Sequence, residues 1–231
     1  MSKRNRLIKA IKHPEWLLAV VFRRLSPFIK NDKFYLRILY FLEMKGKILH
    51  LENPRTFTEK LQWLKIYDYK PEYTQLVDKL AVKDYVASRI GKEYVIPTLA
   101  VWNSVEEIDW DSLPSQFVLK TTHGGGGCGV VVCTDKSKLD KETAIKKLRV
   151  SMHTNAGQIY REKPYLNVPR KIIAEKFIAE RKTHYENSFE ELKDYKFFCF
   201  VGKVKCFKID FGRFVEHHAN YYSPALTDIC L

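Results

Sequence analysis

Four consecutive glycines, Gly124 to Gly127, followed by Gly129, separate two short apolar runs in "FVLKTTHGGGGCGVVVC" (residues 117 to 133), and Lys120 closes the first run. The flanks are aromatic or β-branched and read as strands. So many glycines are costly in a packed element and make sense where the backbone meets something closely. Loop N–H groups form a concave anion site, and Lys120 adds a full charge at its base, so phosphate is the fitting guest. The plainer alternative is a glycine-rich hairpin tip with a solvated lysine.

Named nucleotide motifs fit poorly. Gly124, Gly126 and Gly129 match G-x-G-x-x-G, yet the dinucleotide form must open a helix and a Val-Val-Val run follows. The P-loop needs Lys and then Ser or Thr after its last glycine, where Val130 and Val131 stand. The kinase pattern extends through Val131, and Asp210, Phe211 and Gly212 supply a DFG triplet. Only about 80 residues separate loop and triplet, however, and no H-R-D occurs.

Elements must position this loop. Pro14 and Pro27 are expected to break basic helices over residues 7 to 30, and a further helix spans residues 34 to 44. Thr56 reads as an N-cap with Glu59 completing a capping box, ahead of Leu61 and Leu64 on one face. One helix is predicted over residues 73 to 89, with Leu76, Leu80 and Tyr85 apolar and Gly91 closing it. "YVIPTLAVW" reads as a strand, residues 141 to 152 as an amphipathic helix, "KIIAEKFIAE" as an apolar run, and "DYKFFCFVGKVKCFKIDF" as two strands about Gly202.

The chain has 231 residues, 45% of them hydrophobic, enough for a real core, and its 40 Lys and Arg exceed 27 Asp and Glu to give +13. Anionic partners are expected. Residues 1 to 50 hold 12 Lys and Arg against Glu15, Asp32 and Glu43, so an amphipathic segment with Trp16 and Phe22 suits an anionic inner membrane face or packing on the main domain. The apolar stretch from Trp16 to Phe22 is too short to cross a bilayer and lacks a cleavage site, so neither a transmembrane helix nor a signal peptide is expected. Cys128, Cys133, Cys199, Cys206 and Cys230 show no zinc spacing and fit a reduced cytoplasmic setting. His217 and His218 are read as an incidental pair.

The phrases "NPRTFTEKLQWLKIYD", "YTQLVDKLAVKDYV", "IPTLAVW", "LPSQFVLKTTHGGGG", "RKIIAEKFI" and "DYKFFCFVGKVK", in this order over roughly residues 32 to 222, together resemble the TupA-like group of the ATP-grasp fold, named for teichuronopeptide synthesis. The resemblance implies an α+β fold with two lobes around a nucleotide cleft, a basic helical N-terminal region and a truncated C-terminal lobe. It divides the chain at residues 1–50, 51–115 and 116–231. The implied activity is ATP-dependent carboxylate–amine ligation through an acyl-phosphate, in bacterial cell-surface polysaccharide or capsule synthesis.

The resemblance assigns Lys79 and Lys120 to the polyphosphate, and Thr122, His123, Gly124, Gly125, Gly126, Gly127 and Gly129 to a flap over it. Glu175, Lys176, Phe177 and Ile178 become the adenine segment, Asp194 a ribose contact, and Lys196 and Arg213 further phosphate or substrate contacts. Lys120 and Arg213 are the catalytic candidates. The plain alternatives are a solvated helix lysine for Lys79, an edge-strand residue for Glu175 and a turn residue for Asp194. ATP and Mg²⁺ are the implied cofactors, with an acidic saccharide or other carboxylate as acceptor and no nucleic acid. The family's metal carboxylates lie beyond Arg213, and their phrases are not found before Leu231, so no metal ligand is assigned; Asp210 and Glu216 are the nearest acids. This leaves turnover open. A non-catalytic binder of anionic polysaccharide or lipid, and a glycosyltransferase of the same pathway, are the competing readings.

Overall fold

A computed structural model describes residues 14–125, 127–179, 192–211 and 217–227. Residues 1–13, Gly126, Arg213, Glu216 and Cys230 lie outside the described residues. The chain divides into two compact units, residues 1–176 and 177–231. Both combine antiparallel strands with the helices or turns of an α+β chain.

The first unit begins with α1 (Pro14–Arg24) and α2 (Asp32–Glu43). Pro14 starts α1, where the N–H it lacks has no helical partner; the residues before it that bear on a break there lie outside the described residues. Tyr35, Leu36, Leu39 and Tyr40 of α2 bury their side chains with Ala19, Leu49 and Leu51. The Arg161 guanidinium stands over the Tyr35 ring at 4.1 Å and donates to Ser26 O at 3.0 Å, joining this helical layer to a segment far along the chain.

α3 (Phe57–Tyr67) has the predicted capping box at Thr56 and Glu59. Its inward residue is that glutamate and not the predicted apolar face: Leu61 and Leu64 are 40% and 42% exposed. The Glu59 carboxylate accepts the N–H groups of Thr56 at 2.9 Å and Arg55 at 3.0 Å.

The single helix predicted over residues 73 to 89 is two, α4 (Tyr73–Val77) and α5 (Ala81–Ile90). Asp78 turns extended, at φ −73° and ψ 115°, and its Oδ1 accepts the Leu80 N–H at 2.8 Å. An aspartate that bonds nearby backbone competes with helix propagation, which helical periodicity does not reveal.

The sheet of this unit comprises β1 (Thr98–Trp102), β2 (Phe117–Thr121), β3 (Val130–Cys133) and β4 (Ile172–Lys176) in the order β1-β4-β2-β3, all antiparallel. β2 alternates: Phe117, Leu119 and Thr121 are buried, while Val118 and Lys120 are less so. The buried set packs with Ile172 and Ala174 of β4 and with Ala144 and Leu148 of α6 (Lys141–His153). Val118 and Lys120 therefore face the opposite side of the sheet. Beyond α6 follow α7 (Ala156–Tyr160) and a 3₁₀ turn over Lys163–Asn167, neither of them predicted.

The second unit contains the predicted hairpin, β5 (Asp194–Phe200) and β6 (Lys203–Phe211) about Gly202 at φ +70°, plus an unpredicted β7 (His218–Tyr222). The order is β5-β6-β7, antiparallel throughout.

Candidate functional site

Lys120 sits one residue before the end of β2 and pairs with Ile173 of β4, while Val118 pairs with Glu175. Directly paired residues share a face, so Lys120 and Glu175 are diagonal neighbours on the side away from α6. Lys120 Nζ lies 2.5 Å from Glu175 Oε2, and Lys83 Nζ of α5 lies 2.5 Å from Oε1. Lys83 also donates to Ile96 O at 2.7 Å.

β4 has a neighbour on each side, so Glu175 is not an edge residue; it is 4% exposed. Burial pushes its carboxyl up, but hydrogen bonds and charge from Lys120 and Lys83 outweigh that and leave it below its ordinary value. A carboxylate shared by two lysines is tolerable in such a place, whereas an unpaired one is not.

Lys79 occupies the break between α4 and α5 rather than a solvated helix face. Its N–H donates to Thr122 O at 3.2 Å and its Nζ to Gly124 O, so one residue holds the start of the glycine loop from both ends. Burial and the Lys120 charge depress the Lys79 ammonium. The two lysines thus feel each other across the loop base.

Within the loop the glycines divide into two kinds. A Cβ on Gly129 would stand 2.3 Å from Ser151 Oγ and 2.5 Å from Thr121 Oγ1, and one on Gly124 would stand 2.4 Å from Thr121 Oγ1. Those two are glycine because the loop base presses on the Thr121–Ser151 hydroxyl pair, itself bonded at 2.8 Å. Gly125 and Gly127 have open space where a Cβ would lie, and only Gly127 has a positive φ, +78°. Among the described residues no backbone carbonyl accepts the Gly125 or Gly127 N–H. N–H groups without a carbonyl partner among the described residues suit an anion.

Thr122 and His123 turn inward. Thr122 Oγ1 donates to Pro169 O at 2.6 Å, and the His123 Nε2–H donates to Ser151 O at 3.0 Å. Burial lowers the imidazole below its ordinary value. In the adenine segment the Lys176 N–H already donates to Pro97 O at 3.0 Å, and Ile178 is 38% exposed.

In the second unit Asp194 opens β5 and Lys196 follows on the same face. Lys196 Nζ stands 2.5 Å from Asp194 Oδ2 and also contacts Asp210 Oδ2. Asp210 is 2% exposed, with Lys208 Nζ at 2.8 Å and His217 Nε2 at 2.9 Å from Oδ1. Lys196, then Lys208 and His217, hold its carboxyl far below the usual range. His217 therefore has a carboxylate partner.

Ser151 and Lys83 escaped the sequence reading. Ser151 continues the spacing of Ala144 and Leu148 along α6 and could have been read from it; Lys83 could not, because Lys79, four residues before it, lies outside α5.

The model of the TupA-like ATPgrasp family matches residues 59–230. No curated protein and no solved structure matches the chain.

Proposed function

Because the chain belongs to the TupA-like ATP-grasp family, we propose that it binds ATP at the glycine loop and joins a carboxylate to an amine through an acyl-phosphate, in cell-surface polysaccharide synthesis. The observation that supports this most is local. Lys79 and Lys120 flank a loop in which, among the described residues, no backbone carbonyl accepts the Gly125 or Gly127 N–H, and in which a Cβ at either glycine would meet nothing.

In this reading the polyphosphate takes the place of Glu175 Oε2 at Lys120, and Lys83 remains to hold the carboxylate. Lys120 and the loop N–H groups neutralise charge on the γ-phosphoryl oxygens as they leave ADP for the acceptor carboxylate. The Lys79 ammonium keeps the loop on its strand. The Lys176 N–H already donates to Pro97 O at 3.0 Å, so it is not the adenine donor in this reading.

ATP-grasp proteins generally bind ATP with Mg²⁺. Among the described residues no group of three or more His, Cys, Asp or Glu can hold a metal ion, and Asp210 is already surrounded by two lysines and a histidine. That donor set does not fit Mg²⁺, which needs oxygen ligands free of competing cations.

The acceptor is a carboxylate-bearing saccharide such as a uronic acid. Transfer of one ¹⁸O from its labelled carboxylate to released phosphate, dependent on an added amine, tests the acyl-phosphate route. Phosphate release without label, or indifferent to acceptor and amine, would oppose it.

A membrane-surface role for the N-terminal region belongs to the same proposal. Among the described residues no helix is long and apolar enough to cross a membrane. Leu17, Leu18, Val21 and Leu25 are nevertheless about half exposed and Phe28 is 80% exposed, beside Arg23 and Arg24. Exposed apolar side chains with basic neighbours suit an anionic lipid surface.

A further inference from the structure

The short helix α7 has two working sides. Ala156, Ile159 and Tyr160 turn toward the glycine loop, whereas Gly157 and Gln158 line a separate cavity of about 430 Å³ on the other side. Asp32, Tyr69, Arg161, Lys163 and Asn167 also belong to its wall. The volume falls in the range of small-molecule sites and suits one sugar ring.

The chain builds this cavity by reversing sharply after α7. Arg161 caps the helix in the left-handed region at φ 56°, and Gly157 lets the following turn press close, since a Cβ there would stand 3.0 Å from Glu162 O and 3.1 Å from Leu166 N. The Arg161 guanidinium is buried and donates to Gln158 O at 2.8 Å and to Ser26 O at 3.0 Å. Its Nε lies 3.0 Å from Asp32 Oδ1, an ion pair without the alignment of a hydrogen bond. Asp32 is thereby fixed through one oxygen.

The other oxygen is open. Lys163 Nζ is 4.0 Å from Asp32 Oδ2, beyond hydrogen-bond reach. The side-chain amides of Gln158 and Asn167 and the Tyr69 hydroxyl likewise have no hydrogen-bond partner among the described residues. Each of these groups both donates and accepts, as a sugar hydroxyl does, and Asp32 Oδ2 adds a charged acceptor. Water meets them in the empty cavity, and a ring of hydroxyls can take its place. The Asp32 carboxylate opposes a bare anion such as phosphate, while Lys163 offers its charge to a ring that carries a carboxylate.

We infer that this cavity holds an acidic sugar residue of the acceptor chain, with ring hydroxyls on Asp32, Gln158 and Asn167 and the sugar carboxylate on Lys163. The thickness of a helix, about 10 Å, separates it from the glycine loop, so the residue held here is not the one that reacts. The site selects the polymer and leaves the chemistry to the loop. The inference rests on the proposed ligase reading, but the cavity can be tested apart from it.

Glucuronate and glucose share a ring and differ by a carboxylate, and inorganic phosphate is an anion without a ring. Each is titrated into the full chain and followed by the side-chain amide resonances of Gln158 and Asn167, with an ATP analogue titrated separately by calorimetry. Glucuronate is expected to shift both amides and to bind about tenfold more tightly than glucose, the worth of one charge-assisted contact; phosphate should leave both unmoved. Lys163→Gln should remove that advantage without weakening glucose, and Asn167→Ala should weaken both sugars. Both side chains are partly or fully exposed, so neither change endangers folding, and the ATP analogue should bind both variants as it binds the parent.

No shift with either sugar, glucose binding as tightly as glucuronate, phosphate shifting the amides as glucuronate does, or an advantage that survives Lys163→Gln overturns the inference. If the ATP analogue binds and glucuronate does not, this inference fails alone. If glucuronate binds as described and the analogue does not, the acidic-sugar site stands and the ligase reading falls.

Discussion

Lys120 and Glu175 are not directly paired across β2 and β4 but diagonal, two residues out of register, with Nζ 2.5 Å from Oε2. The strongest phosphate-binding candidate is therefore held in place by a buried carboxylate that Lys83 grips from the other side. A phosphate that drew the lysine away would leave the glutamate still paired with Lys83.

Removing the carboxylate leaves two partly buried cations facing each other. Glu175→Gln should lower stability by about 3 kcal/mol in urea unfolding, and adding Lys83→Met should recover part of the loss. A single-variant effect within about 0.5 kcal/mol, the range of an ordinary surface change, would mean that the triad is not a unit.

The two kinds of loop glycine should respond differently to one methyl group. Gly129→Ala meets Ser151 and Thr121 at a φ of +69° and should cost about 2 kcal/mol or more. Gly125→Ala meets nothing, so its unfolding midpoint should be that of the parent while ATP-analogue affinity falls about tenfold. Thermal melts and calorimetry on both variants check the contrast; unchanged affinity in Gly125→Ala would remove the loop from the phosphate.

The glycine loop, both its strands and the Thr56 cap were legible because their signals are local: β-branched flanks, consecutive glycines, and Thr with Glu three residues on. Lys83 and the buried position of Glu175 were not. Their roles depend on β4 inserting between β1 and β2, and on Asp78 ending α4 so that α5 starts in a new direction. Strand order and a helix break of this type are tertiary outcomes, which a periodicity of apolar residues does not encode. Asp194 read equally well as a turn residue because it is the first residue of its strand.

The capping box carries a pH dependence. The Thr56 N–H, with Arg55 and the Thr56 hydroxyl, brings the Glu59 carboxyl down from 4.5 to about 2. A depressed carboxyl adds stability that is fully present above pH 4.5 and is lost as pH falls through 2. Glu59→Gln should therefore melt below the parent at neutral pH, with the gap closing between pH 4.5 and 2. A gap that stays constant over that range would contradict the assignment.

Vesicles of phosphatidylglycerol and phosphatidylethanolamine should retain the chain at low salt and release it as salt screens the attraction. Leu18→Glu with Phe28→Glu should abolish retention without changing the circular dichroism, since both side chains are exposed. Retention unaffected by salt and by the double variant would end the membrane-surface proposal.

The most direct test is calorimetric titration of a non-hydrolysable ATP analogue into the chain and into Lys120→Ala. The account predicts binding by the parent and a loss of about 2 kcal/mol in the variant, the worth of a charge-assisted hydrogen bond, or roughly thirtyfold in affinity. Absence of binding by the parent, or equal binding by both, would contradict a nucleotide site at the glycine loop.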